Sequence, residues 1–157
     1  MELGEAVSRY GEFVARRMGG TAISGEPEDQ LRAPLEGLVE DVAVLAGRDP
    51  SSLSIAGETS LAELRTRPDF AVSYQGTLVG FIEVKAPGKG ADPRKFRDAH
   101  DKAQRKKLQV LPNLLYTDGQ DFTLWRDGEL LWTVRLEGDI TSAVLSATAS
   151  TRARPMP

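Results

Sequence analysis

Apolar positions recur at two different spacings along this chain, and the switch between them separates helices from strands. Ala6, Tyr10, Phe13 and Val14, with Arg17, fall at helical spacing, so residues 2 to 18 predict a first helix that Gly19-Gly20 ends. Residues 19 to 27 are small and polar and read as a loop. Leu31, Leu35, Leu38, Val42 and Leu45 form a second stripe, predicting a helix from about Glu28 to Ala46 that Gly47 stops, with Pro34 as a kink or a sign of a later start. A short strand is expected at Leu53 to Ala56, and Leu61 to Arg67 reads as a bend.

The period then falls to two. Phe70 to Tyr74 and Leu78 to Val84 are β-branched and aromatic runs split by Gln75-Gly76, a hairpin signature. Alternation puts Phe81, Glu83 and Lys85 on one face, and Asp69, Ala71 and Ser73 on one face. A two-residue loop at Gln75-Gly76 would set Asp69 opposite Ile82, with Glu83 on the wrong side. A three-residue loop over Tyr74, Gln75 and Gly76 sets Asp69 opposite Phe81 and makes Asp69 and Glu83 diagonal neighbours, which is the register expected here.

Asp92-Pro93 is expected to open a basic helix as N-cap and first residue, running to Leu108 or Val110 with Phe96, Ala99, Ala103 and Leu108 inward. Asn113 to Tyr116, Phe122 to Arg126 and Leu130 to Arg135 read as three more strands, with Asp118-Gly119 and Asp127-Gly128 as turns. Trp125 and Trp132 are spaced for core packing in that meander, with base stacking as the alternative. Residues 1 to 140 are expected to form a single domain, and 141 to 157 a short helix fading into a tail or a linker to a further domain.

Chemistry enters at the end of the hairpin. Two carboxylates about 4 Å apart repel by about 4 kcal/mol at an effective dielectric near 20, so Asp69 and Glu83 invite a cation. The donors are oxygens, which suits Mg²⁺ or Mn²⁺, and a chain with no Cys and one His lacks the usual zinc sets. The backbone carbonyl of Val84 is an expected further ligand, and Lys85 a group to orient the attacking hydroxide and offset charge on phosphorus. An acid, a second acid fourteen residues later and a lysine also describe ordinary solvated strand ends. Pro68 ahead of the pair, strands in phase and the Ala86-Pro87-Gly88 stop favour the site.

With these residues in view, the stretch RPDFAV…GTLVGFIEVKAPGKGADPRKF…HDKAQ…LPNLLYTDGQDFTLWRDGEL resembles the PD-(D/E)-x-K nuclease superfamily. Within it, the stretch is similar to the Mrr-like nuclease domain at the N-terminus of type ISP restriction-modification enzymes, over roughly residues 26 to 140. The resemblance implies an α/β restriction-endonuclease-like core, a central mixed sheet flanked by helices. It implies Asp69, Glu83 and Lys85 as the metal-binding and catalytic set. Helicase-like and adenine-methyltransferase regions are expected partners, in the same polypeptide or complex. Gln104 is a further candidate for the catalytic site; the resembled sequences lead one to expect an aromatic after it, where this chain has Arg105. An acid on a first core helix facing the sheet is an accessory metal position in many members. Glu28, whose helical phase lies within about 60° of the leucine stripe, is the candidate here, although an acid in a helix's first turn also complements the macrodipole.

The net charge of −3 conceals an asymmetry. From Lys85 to Lys107 nine cations face three aspartates, which leaves the rest of the chain strongly acidic. Lys89, Arg94, Lys95, Arg97, Lys102, Arg105 and Lys106 follow the proposed catalytic strand and are candidate phosphate contacts for double-stranded DNA, although basic residues on a helix also serve solubility. His100 reads as a solvated helix residue rather than a general base. The apolar runs are too short to span a bilayer and the N-terminus has no signal-peptide pattern, so a cytoplasmic location is expected. The function expected is Mg²⁺-dependent DNA cleavage, with a transient dimer as a route to cutting both strands. The alternatives are an inactive nucleic-acid-binding module of the same fold, an RNA or small-molecule phosphodiesterase, and an interaction domain with no nucleic-acid role.

Overall fold

The protein is seen in a computed structural model that describes residues 1–18, 26–57, 67–140 and 144–150. The loop expected at 19 to 27 and the bend at 61 to 67 lie largely outside the described residues, as do 141–143 and 151–157 of the expected tail.

Helix α1 (Leu3–Met18) turns Ala6, Val7, Tyr10 and Val14 inward. A 3-10 turn, Pro27–Leu31, precedes α2 (Arg32–Leu45). The second helix therefore begins four residues after the expected Glu28. Pro34 falls in its first turn, where the missing N–H costs no hydrogen bond. The stripe is also shorter than expected: Leu31 and Leu35 are buried, whereas Val42 is exposed.

Seven strands follow: β1 (Leu53–Gly57), β2 (Phe70–Tyr74), β3 (Thr77–Val84), β4 (Leu114–Thr117), β5 (Asp121–Arg126), β6 (Glu129–Asp139) and β7 (Val144–Ser150). They form one sheet in sequence order, with β3 and β4 parallel and the other described neighbours antiparallel. Residues 144–150 thus extend the sheet beside β6 instead of forming the expected helix. The parallel step needs a crossover, which α3 (Ala99–Leu108) supplies. The molecule is an α/β fold of restriction-endonuclease-like type, a mixed sheet with helices on its faces.

The β2–β3 hairpin corrects the expected register. Tyr74 pairs with Thr77 around a two-residue turn in which Gln75 (φ 50°) and Gly76 (φ 79°) are both left-handed, not around a three-residue loop. A bulge then restores the phase: Ser73 pairs with Leu78 and Val72 with Gly80, so Val79 is the extra residue. Phe70 consequently pairs with Ile82, and one further step along the register sets Asp69 directly opposite Glu83 rather than Phe81.

The basic segment is also built differently. Asp92 caps a 3-10 turn, Pro93–Lys95, through its side chain and Arg94 N, and the chain then extends through Phe96. Asp98 caps α3 by accepting from Asp101 N. With the helix starting at Ala99, its phase moves: Asp101 and Leu108 are buried, and Ala99 and Ala103 are exposed.

Apolar packing lies on both faces of the sheet. Val7, Tyr10, Val14, Leu31 and Leu35 pack with Phe70, Ile82, Val84 and Phe122 on one. Phe96, Leu108 and Leu111 pack with Ala71, Phe81, Leu114, Tyr116 and Trp125 on the other. Alternation along β3 therefore sends Glu83, like Phe81, toward the α3 side.

Candidate active site

Asp69 and Glu83 meet at one end of the β2–β3 pair. Pro68 leads into β2, and β3 stops at Val84 before Ala86-Pro87. The Asp69 carboxylate is held from two sides: Oδ2 accepts from Val84 N at 2.7 Å, and Oδ1 accepts from an Arg32 guanidinium N–H at 2.7 Å. Glu83 Oε1 accepts from the Gln104 amide at 3.0 Å, and Oε2 lies 3.4 Å from Asp69 N. Glu83 is 5 % exposed. Burial first, and then the neighbouring Asp69 carboxylate, push its carboxyl up to about 8, against the pull of Lys85.

Lys85 is the third member. Its Nζ donates to Asp101 Oδ1 and to Gln104 Oε1, each at 2.8 Å, and lies 3.6 Å from Glu83 Oε1. Gln104 therefore bridges the site, accepting from the amine and donating to the acid, and both ends of its amide are fixed. The phenyl ring of Phe96 lies 5.5 Å from the Lys85 ammonium and 5.3 Å from that of Lys89, and contacts Tyr116 edge-on. Glu83 pairs with Tyr116 across the parallel strands, and burial, reinforced by Glu83, raises the tyrosine hydroxyl.

Asp101 belongs to the site although the sequence pattern does not single it out. It is 4 % exposed and sits between two cations, bonding Lys85 Nζ and also Lys89 Nζ. Lys89 additionally pairs with Asp98 at 3.1 Å, and Asp98 is held well below the usual carboxylate range by its hydrogen bonds to Asp101 and Lys89. Asp101, Gln104 and Leu108 share one face at spacings of three and four. The signal is therefore present in the sequence but hidden once Ala99 and Ala103 are placed inward. Arg32, at the start of α2, is likewise a site residue that no local pattern marks.

The structure thus brings Asp69, Glu83, Lys85 and Gln104 together, with Val84 presenting its N–H to Asp69. Glu28 lies in the 3-10 turn before α2, and its carboxyl is raised by burial and then by the charge of Asp69. It does not complete a trio: among the described residues, no group of three or more His, Cys, Asp or Glu side chains is placed to hold a metal ion. The donor set nevertheless suits a hard cation. Two carboxylates from neighbouring strands converge, and the more buried of them is pushed toward its neutral form by its burial and then by the other's charge.

The basic residues divide. Lys89 is committed to Asp98 and Asp101. Arg94 pairs with Asp92 and lies over the Trp125 ring. Lys95, Arg97, Lys102 and Lys106 are exposed, and Arg105 is half-buried. His100 is exposed. Trp125 is buried, with its indole N–H donating to Thr123 Oγ1, and Trp132 packs against the other core face.

No protein-family model matches the chain, and no curated protein matches it. Seven chains of solved structures do match. One, from the cryo-EM structure of a DrdV–DNA complex, is 23 % identical and superposes with a TM-score of 0.55 over 89 % of each chain. At that identity the likeness is one of fold, and it agrees with the restriction-endonuclease-like architecture. Among the described residues no helix is long and apolar enough to cross a membrane.

Proposed function

We propose that this chain is a divalent-cation-dependent DNA nuclease domain of the restriction type, working beside helicase and methyltransferase regions. One observation carries the reading. Asp69 and Glu83 stand opposite one another at the same strand ends, and Glu83 is bonded through Gln104 to the Lys85 ammonium. The sequence resemblance to the Mrr-like branch and the fold shared with a chain seen in a DNA complex support it.

In this reading Asp69 and Glu83 hold Mg²⁺ (or Mn²⁺), with the Val84 carbonyl and Glu28 as further candidate ligands. When bound, the ion supplies positive charge to the phosphodiester and lowers the pKa of water. Lys85 acts as a cation and not as a base: two of its three N–H groups are placed on Asp101 and Gln104, and its charge is held beside the acids, where negative charge builds up on phosphorus. Asp101 anchors that amine from the helix side, at 2.8 Å. Gln104 fixes the distance between the amine and the acid. Lys95, Arg97, Lys102, Arg105 and Lys106 are the candidate contacts to the duplex backbone, with Lys89 and Arg94 joining them if they exchange their aspartates for phosphates.

An inactive DNA-binding module of the same fold is the second reading. It is favoured by the engagement of both Asp69 oxygens. A plasmid-nicking assay with Mg²⁺, Mn²⁺ and Ca²⁺ separates the two. The parent is expected to nick with Mg²⁺ or Mn²⁺ and Lys85→Ala to lose at least about a hundredfold, the scale of removing one charge-stabilising donor. Cleavage that persists in chelator would refute the cation dependence, and cleavage that Lys85→Ala leaves unchanged would refute the role of Lys85; salt-sensitive DNA binding without nicking would favour the second.

A further inference from the structure

Arg32 is placed in the site by the fold. It is the first residue of α2, its guanidinium lies over the Phe70 ring at 5.5 Å, and its Nε also reaches Asp29 at 3.3 Å. A second arm of the same guanidinium sits on Asp69 Oδ1 at 2.7 Å, with about a quarter of the arginine side chain and less than a fifth of the aspartate's exposed. The other Asp69 oxygen is tied to Val84 N. Oδ1 is therefore the oxygen from which a ligand can be exchanged without breaking the strand-end hydrogen bond, and its present partner is a positive charge.

We infer that Arg32 and a divalent cation are alternative partners of Asp69 Oδ1, so that Arg32 sets the cation concentration at which the site fills. The inference rests on the nuclease reading and deepens it. A guanidinium and a divalent cation on the same carboxylate oxygen repel strongly at that separation, so occupation by one favours displacement of the other. A cation then meets a site of which only a fraction is competent, and its apparent affinity falls by that fraction. The displaced guanidinium stays tethered by α2 and by its contact with Phe70, at the mouth of the site. There its planar fork matches the paired oxygens of a phosphate. A phosphodiester that takes up Arg32 thereby frees Asp69, and by linkage DNA and cation each tighten the binding of the other.

The test is Mn²⁺ binding to the free protein, read by the loss of the free-ion electron paramagnetic resonance signal, on the parent, Arg32→Gln, Arg32→Lys and Asp69→Asn. Arg32→Gln is expected to bind Mn²⁺ about tenfold more tightly than the parent, with Arg32→Lys shifted in the same direction by a smaller step and Asp69→Asn losing the site. Adding a short duplex in which the phosphates carry uncleavable phosphorothioates is expected to tighten Mn²⁺ binding in the parent and much less in Arg32→Gln. Should the glutamine variant fail to fold, the lysine variant keeps the charge and the aliphatic stem and reads the same direction. Equal or weaker Mn²⁺ binding by folded arginine variants overturns the inference while leaving the nuclease reading standing. No Mn²⁺ binding by any of the proteins overturns both.

Discussion

Glu83 carries an energetic load that its place in the sequence does not reveal. A carboxyl whose folded-state pKa is raised binds its proton more tightly in the native state than in the unfolded chain. Its contribution to stability is therefore greatest below the unfolded value, and is lost as the pH climbs from about 4.5 toward about 8. Glu83→Gln keeps an oxygen for the Gln104 amide and removes the titrating charge. Without divalent cations this variant is expected to be more stable than the parent at pH 8, because there the parent must bury a charge that burial and Asp69 oppose. The gap should close near pH 5. Thermal melts at the two pH values check it, and a gap independent of pH would show that the carboxyl is not raised. Asp101 makes the complementary point. Its burial between Lys85 and Lys89 is sustained because both oxygens are paired, and among the described residues no buried side-chain nitrogen or oxygen lacks a partner.

At the scale of elements, the β2–β3 hairpin shows how a single extra residue decides what meets what. Alternation alone correctly puts Glu83 and Lys85 on one side of β3, because a side-chain period of two is a local property. The opposition of Asp69 and Glu83 depends on Val79, the bulged residue, and a bulge in a run of apolar residues leaves no mark in composition. The same limit applies to the crossover. Asp92-Pro93 reads as a helix start and does begin a helical turn, but Phe96 pulls the chain into the core and a second cap at Asp98 restarts it. That restart rotates Asp101 into the site. The strand-end acids and the lysine are legible because they depend on neighbours in sequence, whereas Arg32 and Asp101 become visible only once α2 and α3 are docked. Gly80 fixes how β4 lies against β3: a Cβ there would fall 2.6 Å from the Asn113 carbonyl oxygen, which accepts from Phe81 N and aligns the two strands. Gly80→Ala is expected to cost about 1–3 kcal/mol, the usual range for overpacking against backbone. A denaturant midpoint unchanged from the parent would mean that β4 can shift to make room.

Across the whole molecule, charge is distributed unevenly and much of the basic segment is already spoken for. Lys85, Lys89 and Arg94 are neutralised by aspartates close in space, so the cations offered to a polyanion are those left at the surface, including Lys95, Lys102 and Lys106. Each phosphate contact contributes a slope near 0.9 to the dependence of log affinity on log salt concentration. Replacing Lys95, Lys102 and Lys106 together by glutamate is expected to weaken duplex binding and to flatten that slope by about 2 to 3. Anisotropy titrations at several salt concentrations in Ca²⁺ measure both, and an unchanged slope would place the DNA elsewhere on the surface.

The strand order has a temporal consequence. Every described strand lies beside its neighbour in sequence, yet the step from β3 to β4 is made through a crossover of some thirty residues. Hairpins close quickly, whereas a long parallel connection forms slowly because its ordering entropy is lost before its contacts form. A nascent chain can thus align Asp69 with Glu83 while Lys85 still lacks Asp101 and Gln104, both of which arrive with the crossover helix. On the nuclease reading, the amine is therefore fixed beside the acids only once the crossover helix has docked.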